Sequence, residues 1–479
     1  MQHKASVHLL IFVLTMTATA SCNKYLDVQP EDRLLEETVY SDRKSIRNAL
    51  NGIYLNLAKP GLYGENLSST TVDVMAQYFD VPAYTGRPFL QLSRYDYNDA
   101  GVREYMTTIW SDSYSAILNI NIFIRQLESD SSIVSGEERR LMLGEAYGLR
   151  GLLAFDLLRL FGPVYQTDST KAAIPYPVKP QSEVQPQLPA TQVMANVLDD
   201  LTHAAAFLAK DPVRTQGANA GAPEGDAYFS WRNRRMNYFA VQGLLARALL
   251  YQGNTNNAKT IAAAVINEAG RWFPWSPADA SAPGISNPDR VFSSEILFGL
   301  DNNHMYQTQQ NWFAAINGPL QILIPAASRL DNIYESNPDD YRYRSWFAVD
   351  LTTNRIDKVF QKYRDVKDLS KAFRRLQPLL RMSEMYYIAA EGTPDDNEAA
   401  ALLNTVRTNR GLPPLTLHGD KRDQLTLEYQ KECWGEGQLF FYYKRINRQS
   451  IPRATGSGVI RMNSTKYVVP LPLSETTLR

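Results

Sequence analysis

Between Arg235 and Glu268 the sequence reads RMNYFAVQGLLARALLYQGNTNNAKTIAAAVINE. Arg235–Tyr251 carries apolar residues at helical spacing, Gln252-Gly253-Asn254 stops it, and Ala258–Glu268 forms a second, alanine-led helix. Leu379–Glu391 repeats the arrangement, closed by Gly392-Thr393-Pro394 and followed by Asn397–Arg410. Small residues at such crossings let two helices approach closely, as in stacked helix-pair repeats. Tetratricopeptide-like pairs and an ordinary helical bundle both fit this spacing. Either way the fold class is all-α, mainly helical.

The flanking sequence keeps the helical period. Ser41–Leu57 places Ile46, Leu50, Ile53, Tyr54 and Leu57 on one face, behind a Ser41 or Asp42 cap. Tyr105–Leu127 and Thr191–Leu208 behave alike, and Glu137–Phe161 is the strongest helix, ended by Gly162-Pro163. Ile174–Pro189 is proline-rich and reads as an extended connector. Arg271–Gln377 changes character: it is rich in Pro, Asn, Asp, Trp and Tyr, and only short strand-like runs appear, such as Glu295–Leu300 and Leu320–Ile324. Long irregular stretches of this kind tend to carry function. The expected division is a signal peptide (1–21), a lipidated tether (22–40), an N-terminal helical region (41–270), a loop-rich insertion (271–377) and a C-terminal helical pair with its tail (378–479).

The first residues set the compartment. Lys4 is the only charge before Lys24, the apolar run Val7–Leu14 follows it, and small residues lead to Thr19-Ala20-Ser21-Cys22. This is the layout of a secretory signal. The run is far shorter than the roughly 20 residues of a spanning helix. Cysteine directly after small residues is the pattern of a bacterial lipoprotein, cleaved before Cys22 and acylated on it. Membrane attachment is then through acyl chains. The chain carries 50 Lys+Arg and 50 Asp+Glu, and cleavage removes only Lys4. That balance gives no electrostatic reason to bind nucleic acid or an anionic lipid surface. With Cys22 acylated, Cys433 has no intramolecular partner, and the exported chain is expected to rely on core burial.

Six stretches carry a family resemblance. They are Ser21–Asp27 with Gln29-Pro30; Ala49–Tyr54; Gly144-Glu145-Ala146 with Leu149-Arg150, Phe155-Asp156 and Leu158–Val164; Leu244–Leu250 with Tyr251 and Gly253; Leu380–Glu384 with Ala389–Glu391; and Leu403–Arg407. In this order the chain resembles, almost end to end, the SusD/RagB family of outer-membrane nutrient-binding lipoproteins. The resemblance implies four tetratricopeptide-like pairs with a large irregular, ligand-contacting side. It also implies capture of an oligosaccharide at the cell surface and delivery to a TonB-dependent, SusC-like outer-membrane transporter. Two arginines usual near the family's C-terminus are missing, because Tyr429 follows Glu428, and Leu439 follows Gln438 after Glu436-Gly437.

Catalytic chemistry finds little support. Glu428, Glu432 and Glu436 fall at i, i+4 and i+8, so a helix would stack them about 5–6 Å apart, all facing one way. A glycosidase needs carboxylates on both sides of the scissile bond. The ladder therefore reads as structural, with Lys431, Lys444 and Arg445 nearby for pairing. Past the signal, only His203, His304 and His418 occur, with no Gly-x-Ser-x-Gly elbow. Together with Cys433, which reads as a buried thiol, they make no zinc or iron cluster. Asn337–Asp340 reads as a turn sooner than a hard-metal site. No catalytic residue, metal or cofactor is expected, and the chain reads as a binding protein and not an enzyme.

Aromatic residues in non-helical sequence point to a ligand. A sugar presents a C–H face that packs on a ring and hydroxyls that need short polar side chains. Two segments offer both: Asp73–Asn98 and Asp301–Trp312. Asp73, Arg87, Tyr95, Asn98, Tyr306 and Trp312 are the expected glycan-binding residues, with Tyr95 and Trp312 on one solvent-facing platform. The same scaffold binding peptides, or a surface glycoside hydrolase, are the competing readings.

Overall fold

The computed structural model describes residues 39–83, 86–180, 184–219 and 227–477, so the signal peptide and Cys22 lie outside the described residues. The chain divides into Met1–Ala49 and Leu50–Arg479. In the first unit, Asp42 starts helix α1 (Arg43–Leu57): its carboxylate accepts the Lys44 and Ser45 amides at 2.8 and 3.0 Å.

The second unit is built on α2 (Ala100–Ser129), α3 (Gly136–Phe161), α4 (Ala190–Phe207), α5 (Tyr238–Gln252) and α6 (Thr255–Ala269). Strand β1 (Ile296–Asp301), helix α7 (Met305–Trp312) and strand β2 (Leu376–Arg381) follow, then α8 (Met382–Gly392), α9 (Asp396–Thr408), α10 (Lys421–Glu432) and α11 (Leu439–Arg445). The long helices stack in series: α2 on α3, α3 on α4, α4 on α5, α5 on α6, α6 on α8 and α8 on α9. Their ends follow local chemistry. Asp99, Asn237 and Asp395 accept the amides of Val102, Ala240 and Glu398 at 3.1, 3.0 and 2.8 Å, caps that contribute about 1 kcal/mol each. Gly253, at φ +94°, turns the chain from α5 into α6. A Cβ on Gly144 would lie 2.5 Å from Leu208, and one on Gly148 2.5 Å from Met236, so bare backbone on α3 is what admits its neighbours.

Buried charges on α3 then lock the stack. Glu145 accepts Arg232 at 2.6 Å and Arg235 at 2.9 Å, Arg150 grips Asp200 of α4 through two bonds of 2.7 and 2.6 Å, and Asp156 accepts the Tyr63 hydroxyl at 2.7 Å.

Two expectations need correction. Leu379–Arg381 belong to β2, antiparallel to β1, and the helix begins only at Met382. Leu320–Ile324 is not a strand; Ile324 makes an isolated bridge to Asp80. The insertion also holds three helices where irregular chain was expected: α7, Ala327–Tyr334 and Tyr341–Trp346. Each is short, and their inward positions include Arg329 and Arg342, which are buried.

The carboxylate ladder is structural, with partners other than those expected. Helix α10 ends at Glu432, and Glu436 reaches in from the turn at Gly435, φ +76°. Glu428 meets Arg407 at 2.7 Å and Arg342 at 3.3 Å. Glu432 meets Arg381, Arg410 and Arg342 at 2.5, 2.7 and 2.8 Å, and Glu436 meets Lys362 at 2.5 Å and Arg381 at 2.9 Å. Of the expected partners only Lys431 reaches the ladder, at 3.4 Å from Glu428. Lys444 donates to the Leu160 and Gly162 carbonyls at the end of α3, and Arg445 forks onto Glu391.

Burial pushes the Glu428 and Glu432 carboxyls up, but the surrounding cations outweigh it and hold Glu428 below, and Glu432 well below, the ordinary range. Depressed carboxyls stabilise fully above the unfolded value of about 4.3 and lose that contribution as pH falls through the folded value. Urea unfolding should show little loss from these groups between pH 7 and 5 and a steep loss below about pH 4. At neutral pH, Glu432→Gln should cost about 3–5 kcal/mol, because three buried guanidinium groups lose their shared anion; a cost under about 1 kcal/mol would contradict the network's role.

Candidate functional site

The two aromatic segments do meet in space. Arg87 donates to the carbonyls of Pro319 and of Ile322 (2.7 Å), and the Asp80 amide bonds the Ile324 carbonyl at 2.9 Å, so Asp80 and residues 87–89 lie against 312–324. Where they join, Phe89 stacks on Tyr105 with ring centroids 5.0 Å apart and planes 15° apart. Trp312 packs edge-on against Phe89, also at 5.0 Å. Beside these rings opens a cleft of about 580 Å³ lined by Arg87, Phe89, Arg94, Asp99, Gly101 and Tyr105 among others.

Each ring is fixed from behind. Trp312, the last residue of α7, donates its indole N–H to Glu65 at 2.8 Å, and Thr308, one turn earlier, donates to the other Glu65 oxygen at 3.1 Å. Burial raises the Glu65 carboxyl above its ordinary range, partly offset by those two bonds. Phe89 holds its ring in place from a left-handed backbone, φ +64°, a conformation that costs a bulky residue about 1–3 kcal/mol and is concentrated at functional sites. Tyr105 and Trp312 are half-buried, so ring edges remain open, and Arg94 is exposed with no side-chain partner among the described residues.

The expected site residues separate into groups. Arg87 lines the cleft, and Trp312 stands behind it, edge-on to Phe89. Tyr95 does neither: it is buried at 7% exposure, its hydroxyl donates to the Met75 carbonyl at 2.6 Å, and its ring faces Phe440. The expectation of a solvent-facing Tyr95 beside Trp312 is therefore corrected; the half-buried Tyr105 occupies that role, with the buried Phe89 packed between it and Trp312. Asp73 is fully buried, and its carboxylate accepts the Gly435 and Gly437 amides at 2.7 and 3.2 Å, which ties the segment after α1 to the C-terminal turn. Asn98 is exposed and lines a neighbouring groove of about 470 Å³ between α2 and Val469–Ser474. Tyr306 is half-buried on α7, under the Arg374 guanidinium at 4.8 Å, with its hydroxyl accepting the Arg375 amide. Burial and the nearby Asp365 push that hydroxyl up to about 12.

Phe89, Tyr105, Glu65 and Arg94 were not singled out from sequence. Tyr105 sits at helical spacing and reads as part of an apolar stripe, whereas Gly86-Arg87-Pro88-Phe89 carries a turn signal that marks a non-helical ring.

Two family models match the chain: residues 24–220 match one described as starch-binding and associating with the outer membrane, and residues 300–470 match the SusD family. The chain belongs to the SusD/RagB family. A SusD superfamily protein from Bacteroides thetaiotaomicron superposes with a TM-score of 0.73 at 22% identity, covering 91% of this chain and 98% of that one. A laminarin-binding SusD-like protein superposes at 0.63 with 17% identity, over 91% and 97% of the two chains. SusD-like protein P25 of Formosa agariphila is 22% identical over 301 residues, 61% of this chain and 51% of that relative. The chain spans about half or less of the length of the curated relatives it matches. Among the described residues, no helix of this SusD-family chain is long and apolar enough to cross a membrane.

The burial difference between the two rings is directly measurable. By calorimetry, Tyr95→Ala should cost about 3–5 kcal/mol, the range for deleting a core aromatic. Trp312→Phe keeps the packing on Phe89 and removes one bond to Glu65, so it should cost about 1 kcal/mol. Equal small losses would return Tyr95 to the surface.

Proposed function

We propose that this chain is a non-catalytic capture protein that binds an oligosaccharide in the Phe89–Tyr105–Trp312 cleft. It hands the sugar to a TonB-dependent, SusC-like barrel while held on the outer membrane by acyl chains on Cys22. The observation that carries the reading is a fixed three-ring cluster of which the half-buried Tyr105 lines the cleft beside polar side chains. Ring faces take the C–H face of a sugar, and Arg87, Arg94 and Asp99 are placed to orient hydroxyls. Asn98 and Tyr306, on either flank, extend the surface available to a longer chain. Asp73 and Tyr95 serve the site from beneath by holding its scaffold. A laminarin-binding relative of the same fold supports a sugar as the ligand class.

Capture without turnover is supported by the state of the carboxylates. The three ladder glutamates are buried in ion pairs. Glu65 is held by Trp312 and Thr308, and Asp99 caps α2. None of these five faces another carboxylate across the cleft as a hydrolase requires.

Calorimetric titration of soluble oligosaccharides should show binding that Tyr105→Ala weakens about tenfold, near 1.4 kcal/mol, with no new reducing ends after long incubation. Unchanged affinity in that variant removes the cleft from the reading, and steady release of reducing ends removes the non-catalytic assignment. In a diderm host, mass spectrometry should find acyl chains on Cys22, and Cys22→Ala should move a folded protein from the membrane to the soluble fraction; an unmodified Cys22 in membrane-bound protein would contradict the anchor.

A further inference from the structure

Apart from the cleft, a small, partly open cavity of about 30 Å³ lies where α3, α5, α8, α10 and α11 converge, and three arginines line it: Arg159, Arg247 and Arg445. Each already has a carboxylate. Arg159 pairs with Asp156, Arg247 with Glu384 through two bonds of 2.6 Å, and Arg445 with Glu391 through two of 2.7 Å. Donors are nevertheless left over. Arg247 Nη1 and Arg445 Nε have no acceptor among the described residues. The Tyr251 hydroxyl, 5% exposed and lining the cavity, has no hydrogen-bond partner there at all. A buried hydroxyl left unpaired costs about 1–3 kcal/mol, so something is expected to meet it.

The chemistry of the lining says what. Guanidinium groups donate and never accept. The acceptors that line the cavity are largely taken: the Glu384 oxygens receive Arg247, and the Gln438 side-chain carbonyl receives Arg159 at 2.9 Å. A water would bring two protons with few free acceptors for them, whereas an anion brings acceptor capacity alone. The volume holds one small guest. Three guanidinium groups face one carboxylate, Glu384, across it; Asp156 and Glu391 do not line the cavity. We infer that this cavity is a binding site for a single halide-sized monovalent anion, chloride in most surroundings, which joins α3, α5 and α11 through Arg159, Tyr251, Arg247 and Arg445. Glu384, Gln438 and Arg445 are only partly buried, which leaves a way in from solvent.

The test uses the whole mature chain. Crystals soaked in bromide should give one anomalous peak in this cavity, bounded by the three arginines and the Tyr251 hydroxyl. In melts at constant ionic strength, replacing fluoride by chloride should raise the melting temperature saturably, by about three degrees at a hundredfold excess over half-saturation. Tyr251→Phe, which keeps the ring packed against Phe155 and Tyr165, should raise the half-saturating concentration about tenfold. An ordered water with no anomalous signal overturns the inference. So does a melting temperature that follows ionic strength and not anion identity. A bromide peak without chloride-specific stabilisation means an adventitious ion only, and overturns it equally.

Discussion

Glu432 is the point on which the architecture turns. One buried carboxylate joins Arg381 at the end of β2, Arg410 just beyond α9, and Arg342 from the insertion. Arg410 also grips Glu295, the residue before β1, at 2.6 Å. Ile296, at the start of β1, pairs with Arg381, at the end of β2, so this end of the ladder is tied to α10 from both strands. Such a network stabilises little against apolar residues of equal volume, since desolvation offsets much of the attraction. Its strength is in registry: each charge has few acceptable positions, and a shifted strand would strand a buried ion.

That registry is handed on to the cleft. β1 runs into Asn302, whose side chain donates to the Gly64 carbonyl at 3.1 Å, and α7 begins three residues later. Along α7, Thr308 and Trp312 fasten to Glu65. Trp312 then sets Phe89, and Phe89 sets Tyr105. Trp312, Phe89 and Tyr105 are held in place through the charge network at the opposite end of this chain of contacts, while the helical stack supplies the wall they rest on.

Much of this was legible in the sequence. Helix periods, glycine turns and caps placed the stacked helices to within a few residues, because burial of one apolar face leaves a regular signature. The pairing of α5 with α6 and of α8 with α9 follows from Gly253 and the Gly392-Thr393-Pro394 stop. What stayed hidden was set by contacts distant in sequence. Leu379–Arg381 has helical spacing but is taken into a ladder by β1. The short helices around Arg329 and Arg342 bury arginines beside Leu330, Ile333 and Trp346, in runs too short to show a helical period over a full window. Tyr95 and Trp312 look alike as loop aromatics; only Met75 and Phe440 on one side, and Glu65 and Phe89 on the other, separate a core ring from a cleft ring.

The proposed sugar site is at Tyr105, on the side where Arg87 and Arg94 line the cleft. A crystal structure of the mature chain with a bound oligosaccharide tests it most directly. The account predicts a pyranose face against the Tyr105 ring, with a hydroxyl within hydrogen-bond distance of Arg94 and the Glu432 ion pairs unchanged. A sugar seated instead in the groove between α2 and Val469–Ser474, with the three-ring cluster empty, would contradict it.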